Sequence, residues 1–398
     1  MNVLVLNCGS SSIKYQLLNM DETPIVIAKG IVEKIGLTYG AFAYKPTGKD
    51  SVNEELPIHN HTEGVNLILN ALVNEKYGVL KSLNEINAVG HRVAHGGEYF
   101  SESVKIDEIV KHKISALGDL APLHNPAHLI GIETMEELLP NVPQVAVFDT
   151  SFHQTLPKKA YLYGIPYEYY EDFGIRKYGF HGTSHKFVAE KACKILGRNI
   201  EDMKIITCHL GNGASITAID KGKSIDTSMG FTPVSGLVMG TRAGNLDLGA
   251  LVYLAEKEGM SFKQMNIAIN KRAGVLGISG VSSDFRELEA AAAAGNKRAE
   301  LALDVFIYNV KKFIGSYEAA LNGVDILIFT GGIGENNNHV RKSVCEDMSY
   351  FGMNIDNDRN NESKGIDAVL STSESRTTVM TITTDEELVI AQDTLRLI

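Results

Sequence analysis

The 398-residue chain is too long for one ordinary hydrophobic core and predicts about two domains. Its composition, 44% apolar and 22% charged, is that of a soluble globular protein. The 38 basic and 48 acidic side chains leave a formal charge of -10, which repels nucleic acid and anionic membrane at long range, so any phosphate site must be a local concentration of positive groups.

In chain order, the first half reads as strands at 3–7, 13–18 and 25–32, a helix at 63–73, a strand at 88–92, helices at 107–117 and 126–139, and a strand at 145–148. The second half reads as a helix at 183–196, strands at 205–209, 215–219 and 224–227, helices at 247–258 and 297–321, a strand at 326–330 and a helix at 337–348. This is an α/β chain in two halves. The alanine tract 290–294 reads as helix former. The amino terminus opens on a strand pattern without a basic segment or small-residue cleavage site, and no apolar run approaches the ~18 residues that span a bilayer, so a cytoplasmic protein is expected. Cys8, Cys193, Cys208 and Cys345 form no CxxC pair and read as reduced, mostly buried thiols.

The halves share a local pattern. Val3–Leu6, Asn7 and a Gly/Ser turn lead into Ile13, Tyr15 and Leu17; Ile205–Cys208, His209 and "LGNGAS" lead into Ile216 and Ile219. Both read as strand, glycine-rich turn, strand, which fits either a duplicated domain or two ordinary hairpins. The first turn, "NCGSSSIK" (7–14), lacks the spacing of a P-loop, because Lys14 lies in a segment of period two. Its backbone N–H groups, the hydroxyls of Ser10, Ser11 and Ser12, and Lys14 suit phosphate; taken alone, the stretch also fits a polar turn with a solvated lysine. In "HLGNGAS", Gly211 and Gly213 permit close backbone approach. "GGIGEN" (331–336) stands between a strand and a helix start, a nucleotide-binding arrangement, although Asn337 occupies the third glycine position of the dinucleotide fingerprint. Arg92 in "GHRVAHGG" and Arg242 in "GTRAG" stand among small residues, where a guanidinium can be aimed at carboxylate or phosphate. His181 and His185 have the HxxxH spacing of a zinc helix, but no third ligand is evident and zinc is not expected. Asp149 at a strand end and Glu386 in "TTDEELVIA" suit magnesium, and "TDEE" also fits an ordinary helix cap.

With "FDTSFHQT", "YGFHGTSH" and "SSDFRE", these motifs occur in the order and at about the spacing of the acetate kinases, and the chain resembles that family from Asn7 to Glu387. The resemblance implies two duplicated ribonuclease H-like domains of the actin-like ATPase superfamily, 1–150 with 386–398 and 151–385, an interdomain nucleotide cleft, and a homodimer. It implies reversible, in-line transfer of the ATP γ-phosphoryl group to acetate, giving acetyl phosphate and ADP in acetyl-CoA/acetate interconversion, with Mg2+ as cofactor and Mn2+ as its substitute. By position, Asn7 and Glu386 match the metal-site residues, and Arg92 the acetate-binding arginine. Ala94, Leu123, Phe180 and Pro233 match the apolar methyl pocket. His181 and Arg242 match transition-state stabilisers, and Asp149 the residue described as proton donor or acceptor. Acetate is already ionised at neutral pH, so Asp149 is expected instead to orient magnesium, its water or an arginine. The ATP-site matches are Ser10, Ser12, Lys14, His209, Leu210, Gly211, Asn212, Gly213, Asp284, Phe285, Arg286, Gly331, Gly332, Ile333, Gly334 and Glu335. Propionate or butyrate kinase of the same fold is the near alternative, since one methylene is worth only about 1–3 kcal/mol. A chaperone- or filament-like ATPase is the remote one, with no use for an Arg92/Arg242 anion site.

Overall fold

The computed structural model describes residues 1–122 and 124–398. The chain divides into two units, Met1–Ser151 joined by Asp385–Ile398, and Phe152–Thr384.

The first unit is built on an eight-stranded sheet. Its strands are β1 (Asn2–Cys8), β2 (Ser12–Asn19), β3 (Ile25–Glu33), β4 (Gly40–Pro46), β5 (Val52–Leu56), β6 (Ala88–Val93), β7 (Val104–Lys105) and β8 (Gln144–Phe148), in the order β5-β4-β3-β2-β1-β6-β8-β7. β1 to β5 form an antiparallel meander, and β6 and β8 run parallel to β1. Alternate residues of a strand point to opposite faces, and the unbroken apolar run of β1 is covered on both. Leu4 and Leu6 join Val65 and Ile68 of the helix His61–Leu72 and Met135 of the helix Asn125–Leu138. Val3 and Val5 join Ile390 and Ala391 of the last helix, Glu386–Leu397. Each such side chain contributes roughly 1.5–3 kcal/mol. That packing seats the helix carrying Glu386 on the strands whose ends carry Asn7 and Arg92.

The second unit has six strands, β9 (Lys204–Leu210), β10 (Ala214–Asp220), β11 (Lys223–Thr227), β12 (Ile326–Thr330), β13 (Ala368–Val369) and β14 (Thr378–Thr381), in the order β11-β10-β9-β12-β14-β13. One face packs Ile205, Ile326 and Ile328 with Val188, Ala189 and Ala192 of the helix Gly182–Leu196. The other packs Ile206, Cys208, Leu327 and Phe329 with Phe306, Val310 and Ile314 of the 25-residue helix Lys297–Leu321. Without the edge strands, β3-β2-β1-β6-β8 and β11-β10-β9-β12-β14 have the same order and directions: a three-stranded meander followed by two parallel strands. The fold is α/β, with two similar domains of the actin-like ATPase kind.

Candidate active site

In the first unit, three parallel strands end side by side on polar residues, at the carboxyl-end position where open α/β sheets bind ligands. Asn7 is next to last in β1, Arg92 next to last in β6, and Asp149 follows β8. Arg92 donates from Nε to Asp149 Oδ1 at 3.0 Å, from Nη2 to Asp149 Oδ2 at 2.5 Å and from Nη1 to Asn7 Oδ1 at 3.1 Å. A guanidinium with both edges engaged has one orientation. Burial works against its charge, but Asp149 first and then Glu386 hold it protonated beyond the ordinary arginine range. Asp385 caps the last helix by accepting from Leu388 N at 2.9 Å, which leaves Glu386 and Glu387 in its first turn. Burial pushes the Glu386 carboxyl up to about 7; Arg92 pulls it down, and Asp149 and Glu387 push it up.

Lys14 lies opposite Asn7 in the β1–β2 register and forms an ion pair with Glu387. At the hairpin tip, Gly9 N donates to Ser12 O at 2.7 Å, His61 Nε2 donates to Gly9 O at 2.6 Å, and Ser10 is exposed. Ala94 is buried just beyond β6. Leu123 lies outside the described residues.

In the second unit, His181 precedes the helix Gly182–Leu196 with φ of 57°, a left-handed conformation uncommon outside glycine and often found at functional positions. Its ring stacks on His209, with centroids 4.3 Å apart and planes at 29°. Phe180 is buried, and its carbonyl accepts from His153 Nε2 at 3.0 Å. Arg242 donates to Pro233 O at 3.4 Å. A Cβ at Gly213 would lie 3.2 Å from Arg242 Nη1 and 3.6 Å from His181 Nε2, so the missing side chain lets the hairpin tip, the arginine and the imidazole meet.

Gly211 and Asn212 of that hairpin also line a cavity of about 1130 Å³, large enough for a nucleotide. It brings together Gly211, Asn212, Asp284, Phe285, Arg286, Gly332 and Ile333 from three separated stretches of the chain. Asp284 caps the helix Phe285–Ala293 and pairs with Arg286 at 2.6 Å, which pulls its carboxyl down to about 2. Phe285 turns into the core against Phe306. Gly331 has φ of 76°, and a Cβ there would come within 2.8 Å of Leu210 O, so this turn requires glycine. Gly334 packs tightly but less closely, a Cβ there lying 3.3 Å from the Phe329 backbone. Glu335 Oε1 accepts from Gly331 N at 3.0 Å, Thr384 N at 3.0 Å and Thr330 Oγ1 at 3.2 Å, so this carboxylate shapes the loop. Glu289, Asn337, His339 and Lys364 also line the cavity. None of these four was assigned to the nucleotide from the sequence, where Asn337 stood only in the third glycine position of a dinucleotide fingerprint and His339 read as structural or solvated; the asparagine run after "GGIGEN" was the available signal.

Among the described residues, no group of three or more His, Cys, Asp or Glu could hold a metal ion by itself. Magnesium needs less, because it uses one or two carboxylates beside phosphate oxygens and water. The oxygen donors of Asn7, Asp149 and Glu386 fit that chemistry, and a cation there would relieve the crowding of Glu386 by Asp149 and Glu387. Also among the described residues, no helix is long and apolar enough to cross a membrane. The four cysteines are buried free thiols.

The profile of the acetokinase family matches residues 2–392. The acetate kinase of Alkaliphilus metalliredigens is 55% identical over 398 residues, the whole of both chains. In a crystal structure, the acetate kinase of Porphyromonas gingivalis is 49% identical with a TM-score of 0.96, over 100% of this chain and 99% of that one. A propionate kinase from Francisella tularensis is 43% identical with a TM-score of 0.93, over 100% of both. The chain therefore belongs to the acetokinase family, phosphotransferases with a carboxyl group as acceptor.

Proposed function

We propose that the chain moves the γ-phosphoryl group of ATP onto acetate in a reversible in-line transfer, giving acetyl phosphate and ADP. The observation that carries this reading is Arg92, held at the strand ends by Asp149 and Asn7 in a geometry suited to a small carboxylate. Acetate, with a carboxylic acid pKa of roughly 4–5, is ionised at neutral pH and needs no general base. The chemical problem is repulsion between two anions. Arg92 carries the acceptor, and Asp149 serves to orient Arg92 rather than to move a proton. His181 and Arg242 stabilise the transferring phosphoryl group, aided by the N–H groups of the Gly211–Gly213 turn. Magnesium, with Mn2+ as its substitute, would be held by Asn7 and Glu386 and would neutralise phosphate charge. Lys14, the Gly9–Ser12 tip, Asp284 to Arg286 and the Gly331–Glu335 turn serve the nucleotide, and Ala94, Leu123, Phe180 and Pro233 the methyl group.

We also propose a cytoplasmic homodimer. The helices Leu248–Glu258 and Phe262–Lys271 contain no buried residue, and Leu248, Val252, Tyr253 and Phe262 are exposed, an apolar surface suited to a second copy of the chain. Light scattering on Phe262→Glu tests it, with a shift toward monomer expected and an unchanged mass refuting it. Propionate is the second reading, favoured by the Francisella relative described as a propionate kinase. Incubation with MgATP, hydroxylamine and acetate, propionate or butyrate, scoring the trapped acyl hydroxamate, decides between them. Acetate is expected to give the most product, propionate in the lead would establish the second reading, and no product with any acid would refute both.

A further inference from the structure

Behind His181 lies a chain of hydrogen bonds that the proposed mechanism does not use. His181 Nδ1 is 2.9 Å from Ser215 Oγ, the same oxygen is 2.7 Å from His185 Nε2, and His185 Nδ1 is 2.7 Å from Thr207 Oγ1. Ser215, His185 and Thr207 are all 0% exposed. Burial holds the His185 pKa well below its ordinary value, so this ring is neutral and carries one proton. Ser215 also has a single hydroxyl proton to share between two imidazole nitrogens. With His181 neutral, three proton arrangements satisfy these contacts. In the first, Thr207 donates to His185 Nδ1, His185 Nε2 donates to Ser215, and Ser215 donates to His181 Nδ1, which puts the His181 proton on Nε2. In the second all donors reverse, and in the third Ser215 accepts from both rings; in both of these His181 Nε2 carries a lone pair.

The His181 Nε2 edge lies on the side of Gly213 and Arg242. A phosphoryl oxygen placed there only accepts hydrogen bonds, so it selects the first arrangement. We infer that Ser215 and His185 are positioning residues for phosphoryl transfer: they hold His181 as an Nε2–H donor, while stacking on His209 fixes the plane of the ring. Ser184 secures His209 in turn, with its Oγ 2.8 Å from His209 Nδ1. The HxxxH pair thus spans two links of one relay. This inference rests on the reading that His181 meets the transferring phosphoryl group.

The test is a double-mutant cycle on the full chain with MgATP and acetate. Ser215→Ala is expected to lower kcat about 10-fold with both KM values within twofold, because the defect is in the donor and not in either binding site. In a His181→Ala background the same change should add less than twofold. A full 10-fold loss there would show that Ser215 acts structurally and overturn the inference. Wild-type kcat in Ser215→Ala beside a slow His181→Ala would overturn it and leave the mechanism standing. Wild-type kcat in His181→Ala would remove the reading on which it rests. Imidazole 15N spectra of the wild-type chain give an answer that does not depend on the variants folding: the His181 proton is expected on Nε2, and a proton on Nδ1 alone would overturn the inference.

Discussion

Asp149→Asn separates a carboxylate that orients Arg92 from one that carries a proton. In the native site two guanidinium N–H donors end on the two oxygens of Asp149 and a third ends on Asn7. Asparagine keeps the shape and one acceptor but sets an NH2 group against the other guanidinium N–H, so one charge-assisted bond of ~1.5–3 kcal/mol is lost outright. Asn7 alone then aims the arginine. Losing that orientation predicts a fall in kcat/KM for acetate of about 10- to 100-fold, the equivalent of ~1.4–2.7 kcal/mol. The ATP KM should stay within about twofold, because the cavity proposed for the nucleotide is built by other residues. Hydroxamate formation at varied acetate and ATP, repeated across pH, is the assay. If Asp149 accepted a proton, the wild-type rate would fall on the acidic side as the carboxylate protonated, and that limb would vanish in the variant. Loss of the limb at unchanged magnesium affinity, or an unchanged kcat/KM for acetate, would refute the orienting role.

Arg242→Ala should lower kcat about 100-fold or more, as removal of a transition-state donor does; a rise confined to the acetate KM would contradict the assignment. Gly331→Ala forces a side chain into a left-handed turn against the Leu210 backbone, a strain of about 1–3 kcal/mol, and should raise the ATP KM about 10-fold with acetate parameters nearly unchanged. Burial holds His91 and His153 down to about 4. Between pH 6.5 and 4 the unfolded chain therefore binds more protons than the folded one, so stability is present above 6.5 and lost as pH falls to 4, by roughly 3 kcal/mol per histidine. The melting midpoint should drop across that window and drop less in His91→Gln; a flat midpoint from pH 7 to 4.5 would refute the argument.

What the sequence disclosed was whatever is encoded locally. β1, β2 and their tip were legible because a buried strand is an apolar run and its hairpin partner alternates. β5 was not: its Val52-Asn53-Glu54-Glu55-Leu56 has three exposed polar residues in succession and owes its strand form to pairing with β4. The helix Phe262–Lys271 was passed over although the Ser261/Gln264 capping box at its start is a local signal. Glu335 was placed with the nucleotide from its motif, yet its carboxylate is used by Gly331 and by Thr384, 49 residues away. The relay behind His181 was illegible for the same reason, since Ser215 is 34 residues from His181, and the HxxxH spacing, weighed only as a zinc pair and set aside, says nothing of the serine between the two rings.

The two sheets show how one topology serves two kinds of chemistry. Asn7 pairs with Lys14 across the first hairpin as His209 pairs with Ser215 across the second. Beside β1 the register continues from Leu6 and His91 to Asn7 and Arg92; beside β9 it places Thr330 next to His209. One strand further, the residue two beyond the partner of Arg92 is Asp149, and the residue two beyond the corresponding partner of Thr330 is Thr384. Asn7, Lys14, Arg92 and Asp149 thus correspond to His209, Ser215, Thr330 and Thr384. Three of the first set, Lys14, Arg92 and Asp149, carry full charges near their strand ends. In the second, the hydroxyls of Thr330 and Thr384, the latter through Ser184, are tied to Glu335 and His209, and the hydroxyl of Ser215 to two imidazoles. On the proposed mechanism, the first quartet, with three charges and one amide, would hold an anion and a cation, and the hydroxyl and imidazole quartet would leave its backbone N–H groups and one ring nitrogen to meet phosphate. In a protein of net charge -10 this division keeps Arg92 and Lys14 at fixed strand ends, where Asp149, Asn7 and Glu387 aim them.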